Sequence, residues 1–423
     1  MKRTPKTQRP SSEKSTILAG DISMDWINVV DHIDGFPRDH VFENEVAPWE
    51  RGLGELGARA RQAGYRDILV VCEPTGGYEK KFLAVARQLG FATAYVSPEA
   101  VSKMRVIETN DSGKTDIKDP HVIYTLASLG KTLNHRVLED LYLLLREWGQ
   151  IYDAAECGVV AAKCALHHQL QALFPDYNFK KDFLYSPSGI AVRRASGFNP
   201  FRILAAGRTG FEARVRKAVP RVRIGSINRL FEQAESSLRA LGSPEHAQVL
   251  ELRLLQLWDD YERHHARKTE ARAALERLYL EIRSNDPSLP MEQKGIISTP
   301  TLARIFGELG PIGYFHSTRA IIRYAGLNLR ERSSGKYRGQ TKLSKKGRPL
   351  LRKILGQAIL PLVKRNALYG KFYWKKKAHM PGTRAMTVVM RKFLKMLFGW
   401  FLSRKPFSRD RVFECESQFA LAA

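Results

Sequence analysis

The chain has no apolar run long enough to span a bilayer. Its longest, such as residues 394–402 (LKMLFGWFL), fall far short of the roughly 20 residues a membrane helix needs, which excludes a helical span. The basic start, MKRTPKTQRPSSEK, has no apolar segment behind it and reads as a disordered arm, not a signal peptide. The expected location is therefore the cytoplasm. Cysteine is scarce. Cys72, Cys157, Cys164 and Cys415 form no C-x-x-C pair, which argues against a disulfide framework and against a zinc site. Acid is scarce too: 43 Asp and Glu face 69 Lys and Arg, a formal net charge of +26. An ordinary small-metabolite enzyme has no need of such an excess, whereas a polyanionic partner does. With no membrane segment, nucleic acid answers that need best.

What is present is enough for real cores. Hydrophobic residues make up 43% of 423, a length that exceeds one core and predicts two or three domains. Residues 16–21 (TILAGD) and 26–33 (WINVVDHI) read as two antiparallel strands. Residues 45–65 have helical spacing. Residues 67–72 (DILVVC) form a short continuous apolar run, the pattern of a strand buried on both faces. An amphipathic helix follows the turn residues PTGG, and residues 91–98 (FATAYVSP) give another strand. This alternation predicts an α/β layer.

Asp21 closes the first strand and Glu73 follows the buried one. After the turn-rich 110–114, a helix is expected to start near Thr115, with Pro120 in its first turn. Asp116 and Asp119 then stand at i and i+3, roughly 5–6 Å apart at Cβ. Such a pair either complements the positive end of the helix dipole or forms part of a site. Asp21 and Glu73, ending strands of one sheet where ligands of α/β layers gather, favour the site. Four carboxylates set together repel one another unless divalent cations lie between them, and hard oxygen donors suit Mg²⁺ or Mn²⁺.

Residues 137–174 predict one long helix stopped by Pro175. Its His167 and His168 face different sides and read as packing or surface residues. Ser243-Pro244-Glu245 predicts the start of a second long helix. Its seam, Leu250, Leu254, Leu257, Tyr261, His264, Lys268, Ala271, Leu275, Leu278 and Ile282, is a heptad repeat with two polar interruptions. The seam serves either an antiparallel pair within the chain or a contact between subunits. Between the helices, residues 176–236 mix basic residues such as Lys180, Arg193 and Arg221 with Phe183, Tyr185 and Phe201. That mixture suits structured RNA, or else a solvated insertion with a few core aromatics.

Residues 294–309 resemble, weakly, a helix-hairpin-helix element whose amides hold phosphate. Beyond them, Arg330, Arg332, Lys336, Arg338, Lys342, Lys345, Lys346, Arg348, Arg352 and Lys353 face one acid, Glu331. Apolar residues spaced through this block argue against disorder, so it is expected to bind phosphates. Within it, Ser333-Ser334-Gly335 reads as a polar turn or as a nucleophile site.

The acid ending strand one, E-P-T-G at 73–76 and K-T-D-I-K-D at 114–119 running on to Leu126-Ala127 resemble the DEDD transposases of the insertion sequence one-ten family, the bridge-RNA-guided recombinases. Residues 325–335 (AGLNLRERSSG) with 344–352 (SKKGRPLLR) resemble that family's C-terminal domain, and residues 388–407 its closing helix. Pro120 and Leu329 depart from the family's usual alanine and proline, and no basic residue follows Asp21.

The resemblance implies an α/β plus α architecture. Residues 1–14 are a basic arm. Residues 15–135 form an RNase H-like domain related to Holliday-junction resolvases. A helical coiled-coil domain covers 136–290, a mostly helical basic transposase domain 291–408, and a tail 409–423.

It also implies Asp21, Glu73, Asp116 and Asp119 as catalytic metal ligands and Ser334 as the nucleophile, Ser333 being the less favoured hydroxyl. The nucleic-acid contacts expected are Lys114, Arg330, Arg332, Lys336, Arg338, Lys345, Lys346, Arg348 and Arg352. The partners implied are donor and target DNA, a structured noncoding guide RNA and further copies of the chain, two to four in all, in a bacterial cytoplasm. The residues alone leave open a divalent-metal nuclease or junction resolvase and a non-enzymatic nucleic-acid scaffold.

Overall fold

The computed structural model describes residues 15–109, 118–330, 333–334, 337–339 and 342–405. The chain divides into two compact units, Met1–Val137 and Leu138–Ala423. In the first unit the strands are β1 (Ser15–Ile22), β2 (Trp26–Asp31), β3 (Arg38–Glu43), β4 (Asp67–Cys72), β5 (Ala92–Val96) and β6 (Thr132–Asn134). They form one mixed sheet in the order β3-β2-β1-β4-β5-β6. The central β1, β4 and β5 are parallel, while β2, β3 and β6 run against their neighbours. Helices α1 (Val46–Gln62) and α2 (Glu79–Gln88) cover one face, α3 (Pro98–Thr109) and α4 (Lys118–Ser128) the other.

Alternation explains the two-layered core. Leu18, Val70 and Cys72 pack with Leu53, Phe82 and Leu83, while Ile17, Ala19, Leu69 and Val71 pack with Val101, Val122 and Ile123. Strands read from apolar runs were found where expected. The sequence pattern did not reveal β3, whose RDHVFE is exposed or half-exposed along its length, β6 with only three residues, or α3. The sheet fits the RNase H-like domain that the resemblance implies.

The second unit is built on two long helices, α5 (Asp140–Leu173) and, after α6 (Pro187–Ser196), α7 (Pro200–Ala205), α8 (Gly207–Ala218) and α9 (Ile224–Ser237), α10 (Pro244–Asn285). Ser243 caps α10 as expected, its Oγ accepting from the His246 amide at 3.3 Å. The pair runs antiparallel. Gln169 Nε2 donates to the Leu250 carbonyl at 3.0 Å, and further along Lys268 meets Glu156 at 3.3 Å. The seam's polar interruptions therefore have counterparts on α5: His264 lies over Gly158, where a Cβ would stand 2.4 Å from its ring, and Lys268 has Glu156.

Residues 176–236 fold onto the ends of this pair with their own core of Leu184, Val192, Phe198, Ile203, Phe211, Val215, Ile227 and Leu230. Phe183, Tyr185 and Phe201 are half-buried against it, and Tyr185 stacks on Trp258 at 5.7 Å. The rings of this segment are thus packing groups, and most of its basic residues point outward.

The chain then continues through α11 (Thr299–Leu309), α12 (Thr318–Tyr324), the short strands β7 (Leu329–Arg330), β8 (Ser333–Ser334), β9 (Tyr337–Arg338) and β10 (Lys342–Leu343), and α13 (Pro349–Arg365), α14 (Ala367–Lys377) and α15 (Gly382–Ser403). Leu302, Phe306, Ile322, Leu351, Leu355, Phe393 and Leu397 make its core. Among the described residues no helix is long and apolar enough to cross a membrane.

One buried ion cluster ties the first unit together. Asp31, fully buried at the end of β2, lies 2.6 Å from His40 Nε2, takes the Arg59 guanidinium at 3.0 and 3.1 Å and accepts from the Ile33 amide at 2.8 Å. Burial alone pushes its carboxyl upward, but the His40 bond, the Ile33 amide and the Arg59 charge outweigh that, and the net direction is downward. The folded value thus lies below the unfolded one. The stabilisation is complete above the unfolded value and is lost as pH falls through the folded one. Asp31→Ala, which leaves Arg59 without this partner, is expected to lower the first unit's unfolding free energy by about 3 kcal/mol at pH 7. In urea titrations the gap to wild type should shrink on acidification.

Candidate active site

Strand register sets the acids. β1 and β4 pair in parallel with Gly20 opposite Cys72, so Asp21 and Glu73 are the next positions on two adjacent strands. By the period of two, Asp21 shares the face of Ile17 and Ala19, the face α4 covers. Asp21 is buried and Glu73 half-buried. Glu73 opens a loop in which Gly76 and Gly77 take φ of 74° and 122°, a backbone that glycine adopts without cost. Glu79, buried in the first turn of α2, holds this loop by accepting from the Thr75 amide at 3.2 Å and the Gly77 amide at 2.9 Å. Cys72 feels all three acids. Burial first, then the charges of Glu79, Asp21 and Glu73, push its thiol well above the usual range.

Asp119 lies in the first turn of α4, 2% exposed. Both its oxygens are taken by one guanidinium: Arg105 of α3 donates from Nε and from Nη2, each at 2.8 Å. Asp116 and Lys114 lie outside the described residues, so the expected i, i+3 pairing does too. Among the described residues no group of three or more His, Cys, Asp or Glu stands close enough to hold a metal ion. In this arrangement Asp21 and Glu73 come to neighbouring strand positions, while Asp119 is neutralised by Arg105.

The serines lie on a β-ribbon in the second unit. Ser333 pairs with Arg338 and Ser334 with Tyr337 in this two-stranded ribbon, while a separate pair of strands joins Arg330 to Lys342 and Leu329 to Leu343. Two residues, 335 and 336, connect Ser334 to Tyr337, which places Ser334 at the ribbon's last pair. Arg332 and Lys336 lie outside the described residues, as do the side chains of Ser333, Ser334 and Arg338.

The β7–β10 pair is anchored by close backbone approach. Lys345 donates its amide to the Gly326 carbonyl at 3.1 Å, Ser344 to Asn328 at 2.8 Å and Arg348 to Tyr324 at 3.1 Å. Gly347, at φ 152°, lies so near that a Cβ would stand 2.4 Å from the Tyr324 oxygen and 2.5 Å from the Gly326 nitrogen. Two of the expected phosphate contacts help hold this anchor: Arg348 Nε donates to buried Glu308 at 2.9 Å, and Arg352 donates to the Ala325 carbonyl at 3.1 Å. Arg330, Lys345 and Lys346 are exposed.

Comparison with known families bears on both places. A DEDD transposase model of the IS110 type, described as a transposase, matches residues 34–175, and the model of the transposase IS116/IS110/IS902 family matches residues 291–374. Together they cover just over half of the chain. The chain belongs to the IS110 family of DEDD transposases. This transposase is accordingly an enzyme that acts on DNA. The first match contains Glu73, Asp116 and Asp119 and begins after Asp21; the second contains Ser333 and Ser334. No curated protein matches the chain.

Reading the sequence missed two supporting residues of the transposase. Arg105 sits in the unread α3, where nothing local marks a partner of Asp119. Glu79 was legible in principle, as an acid in the first turn of a helix behind a T-G-G loop.

The anchor generates a prediction. Gly347→Ala is expected to destabilise the second unit by about 3 kcal/mol, since its neighbours are backbone atoms. Gly356→Ala, on α13 with open space around it, is expected to be neutral or to stabilise by up to about 1 kcal/mol. Thermal unfolding of the two variants checks the contrast.

Proposed function

We propose that the transposase cuts and rejoins donor and target DNA through a phosphoserine link made by Ser334, with Asp21, Glu73, Asp116 and Asp119 holding Mg²⁺ or Mn²⁺. The observation that carries this reading is the placement of Asp21 and Glu73 at adjacent C-terminal strand ends of a sheet in a DEDD family member. The donor set is all carboxylate oxygen, which fits a hard divalent ion. Burial of Asp119 creates a need for positive charge nearby, which Arg105 now meets. Release of Asp119 by Arg105 is then part of assembling the site. A divalent ion held by these carboxylates would favour deprotonation of a hydroxyl and offset charge on the phosphate.

In the transfer Ser334 Oγ loses its proton to the acidic set and forms a bond to phosphorus. The bond from phosphorus to the leaving deoxyribose oxygen breaks, and that oxygen takes up a proton. The reverse attack by another DNA hydroxyl frees the serine and rejoins the strand. Exposed Arg330, Lys345 and Lys346 hold flanking phosphates, together with Lys114, Arg332, Lys336 and Arg338. A structured noncoding RNA supplies sequence choice by pairing, which suits the +26 charge and the outward basic face of residues 176–236.

In this reading residues 15–135 are the RNase H-like catalytic domain, 136–290 the coiled-coil domain and 291–408 the serine domain. Two to four copies assemble in the bacterial cytoplasm, and the serine of one serves the acids of another.

The test mixes protein, RNA transcribed from the element's flanks, donor and target DNA and Mg²⁺ on a denaturing gel. A protein–DNA adduct is expected for wild type and for Ser333→Ala. It should be absent, by at least about 100-fold, for Ser334→Ala and Asp116→Ala. Free cut ends without an adduct would instead establish a nuclease that activates water.

A further inference from the structure

From Arg332 to Arg409 the sequence contains 22 Lys and Arg and no Asp or Glu. In this acid-free stretch the second unit displays a ring that its core does not use. Trp374, on α14, is 60% exposed. The same helix buries Tyr369 and Phe372, so burial of aromatics on α14 is already satisfied on its inner side. Around Trp374 the helix presents Lys371, Lys375 and Lys377, all exposed, and Arg384 on α15 adds another exposed cation. Lys377 Nζ lies 4.4 Å from the Trp374 ring centre, and Tyr373 meets the ring edge-on at 5.3 Å.

We propose that Trp374 is a stacking platform for an unpaired nucleobase, with the α14 lysines holding the phosphates of a single strand. A flat exposed indole amid cations, in a stretch of sequence without acids, complements a base and its backbone at once. A cation over an exposed ring contributes less than the stacking of a base on it. Lys377 therefore yields its place over the ring to a base and turns to the phosphate. In a duplex the faces of the bases are covered by their neighbours, so the platform selects single strands while the lysines bind either form.

This surface lies outside the residues assigned to the phosphoserine chemistry. It rests on the enzyme's action on nucleic acid and not on the nucleophile, so the adduct assay and the test below can fail separately.

The test measures fluorescence anisotropy of the full chain with labelled oligothymidine, oligouridine and a mixed-sequence duplex, each about 15 nucleotides long. Trp374→Ala is expected to weaken single-strand binding between about 5-fold and about 150-fold and to leave duplex binding within about 2-fold. Trp374→Phe should recover most of the loss, and Lys375→Ala with Lys377→Ala should weaken both forms alike. The thymidine and uridine arms show whether DNA or RNA is preferred. Photocrosslinking of an iodouracil oligonucleotide should modify the peptide carrying Trp374. Unchanged single-strand affinity in Trp374→Ala would overturn the proposal, and loss of self-association by that variant in sedimentation would assign the ring to a second copy instead. Equal loss for single strand and duplex would also overturn it.

Discussion

A carboxylate can be buried in a protein only beside positive charge or hydrogen-bond donors, and this chain is organised around that demand. Asp31 has Arg59 and His40, Asp119 has Arg105, Glu79 has the amides of its own preceding loop, Glu251 has Arg202 and Asn199, and Glu308 has Arg348. Each pairing joins segments distant in sequence or fixes a loop. In a chain at +26 acids are rare, and those that are buried act as anchors. At Asp21 and Glu73 the same scarcity makes two acids on neighbouring strand ends informative.

The two units meet their tasks by different means. In the first, parallel pairing of β1 with β4 brings Asp21 and Glu73 to equivalent positions, and Glu79 stiffens the loop behind Glu73. In the second, the two-stranded ribbon β8–β9 carries Ser334, and the separate β7–β10 pair is held by backbone contacts. Gly326 and Gly347 let the strands and the end of α12 approach to backbone contact, while Arg348 and Arg352 are engaged there. The glycines and two arginines of the basic motif thus fix the β7–β10 pair, and Arg330, Lys345 and Lys346 are exposed.

Much of this was legible in the sequence where local pattern and tertiary role coincide. The apolar run 67–72 has the pattern of a doubly buried strand, and Ser243-Pro244-Glu245 encodes a helix start in three residues. The long helices followed from their periodicity, including the polar positions His264 and Lys268. What escaped depends on partners far along the chain. β3 has almost no apolar signal because one side is open, and Arg105 is one cation among 69 Lys and Arg until α3 is folded beside α4. The rings of residues 176–236 were open to two readings, nucleic-acid contacts or core aromatics, since composition does not distinguish a stacking surface from a small core. Only packing shows that Tyr185 rests on Trp258, whereas Trp374 remains outside.

In the proposed transfer a serine on the β8–β9 pair takes over a DNA phosphate. Its most direct measurement is mass spectrometry of the nuclease-trimmed reaction product after proteolysis. A nucleotide is expected on the peptide containing Ser334, attached to that residue and not to Ser333. A nucleotide on any other residue, or cleaved DNA with no modified peptide, would contradict it.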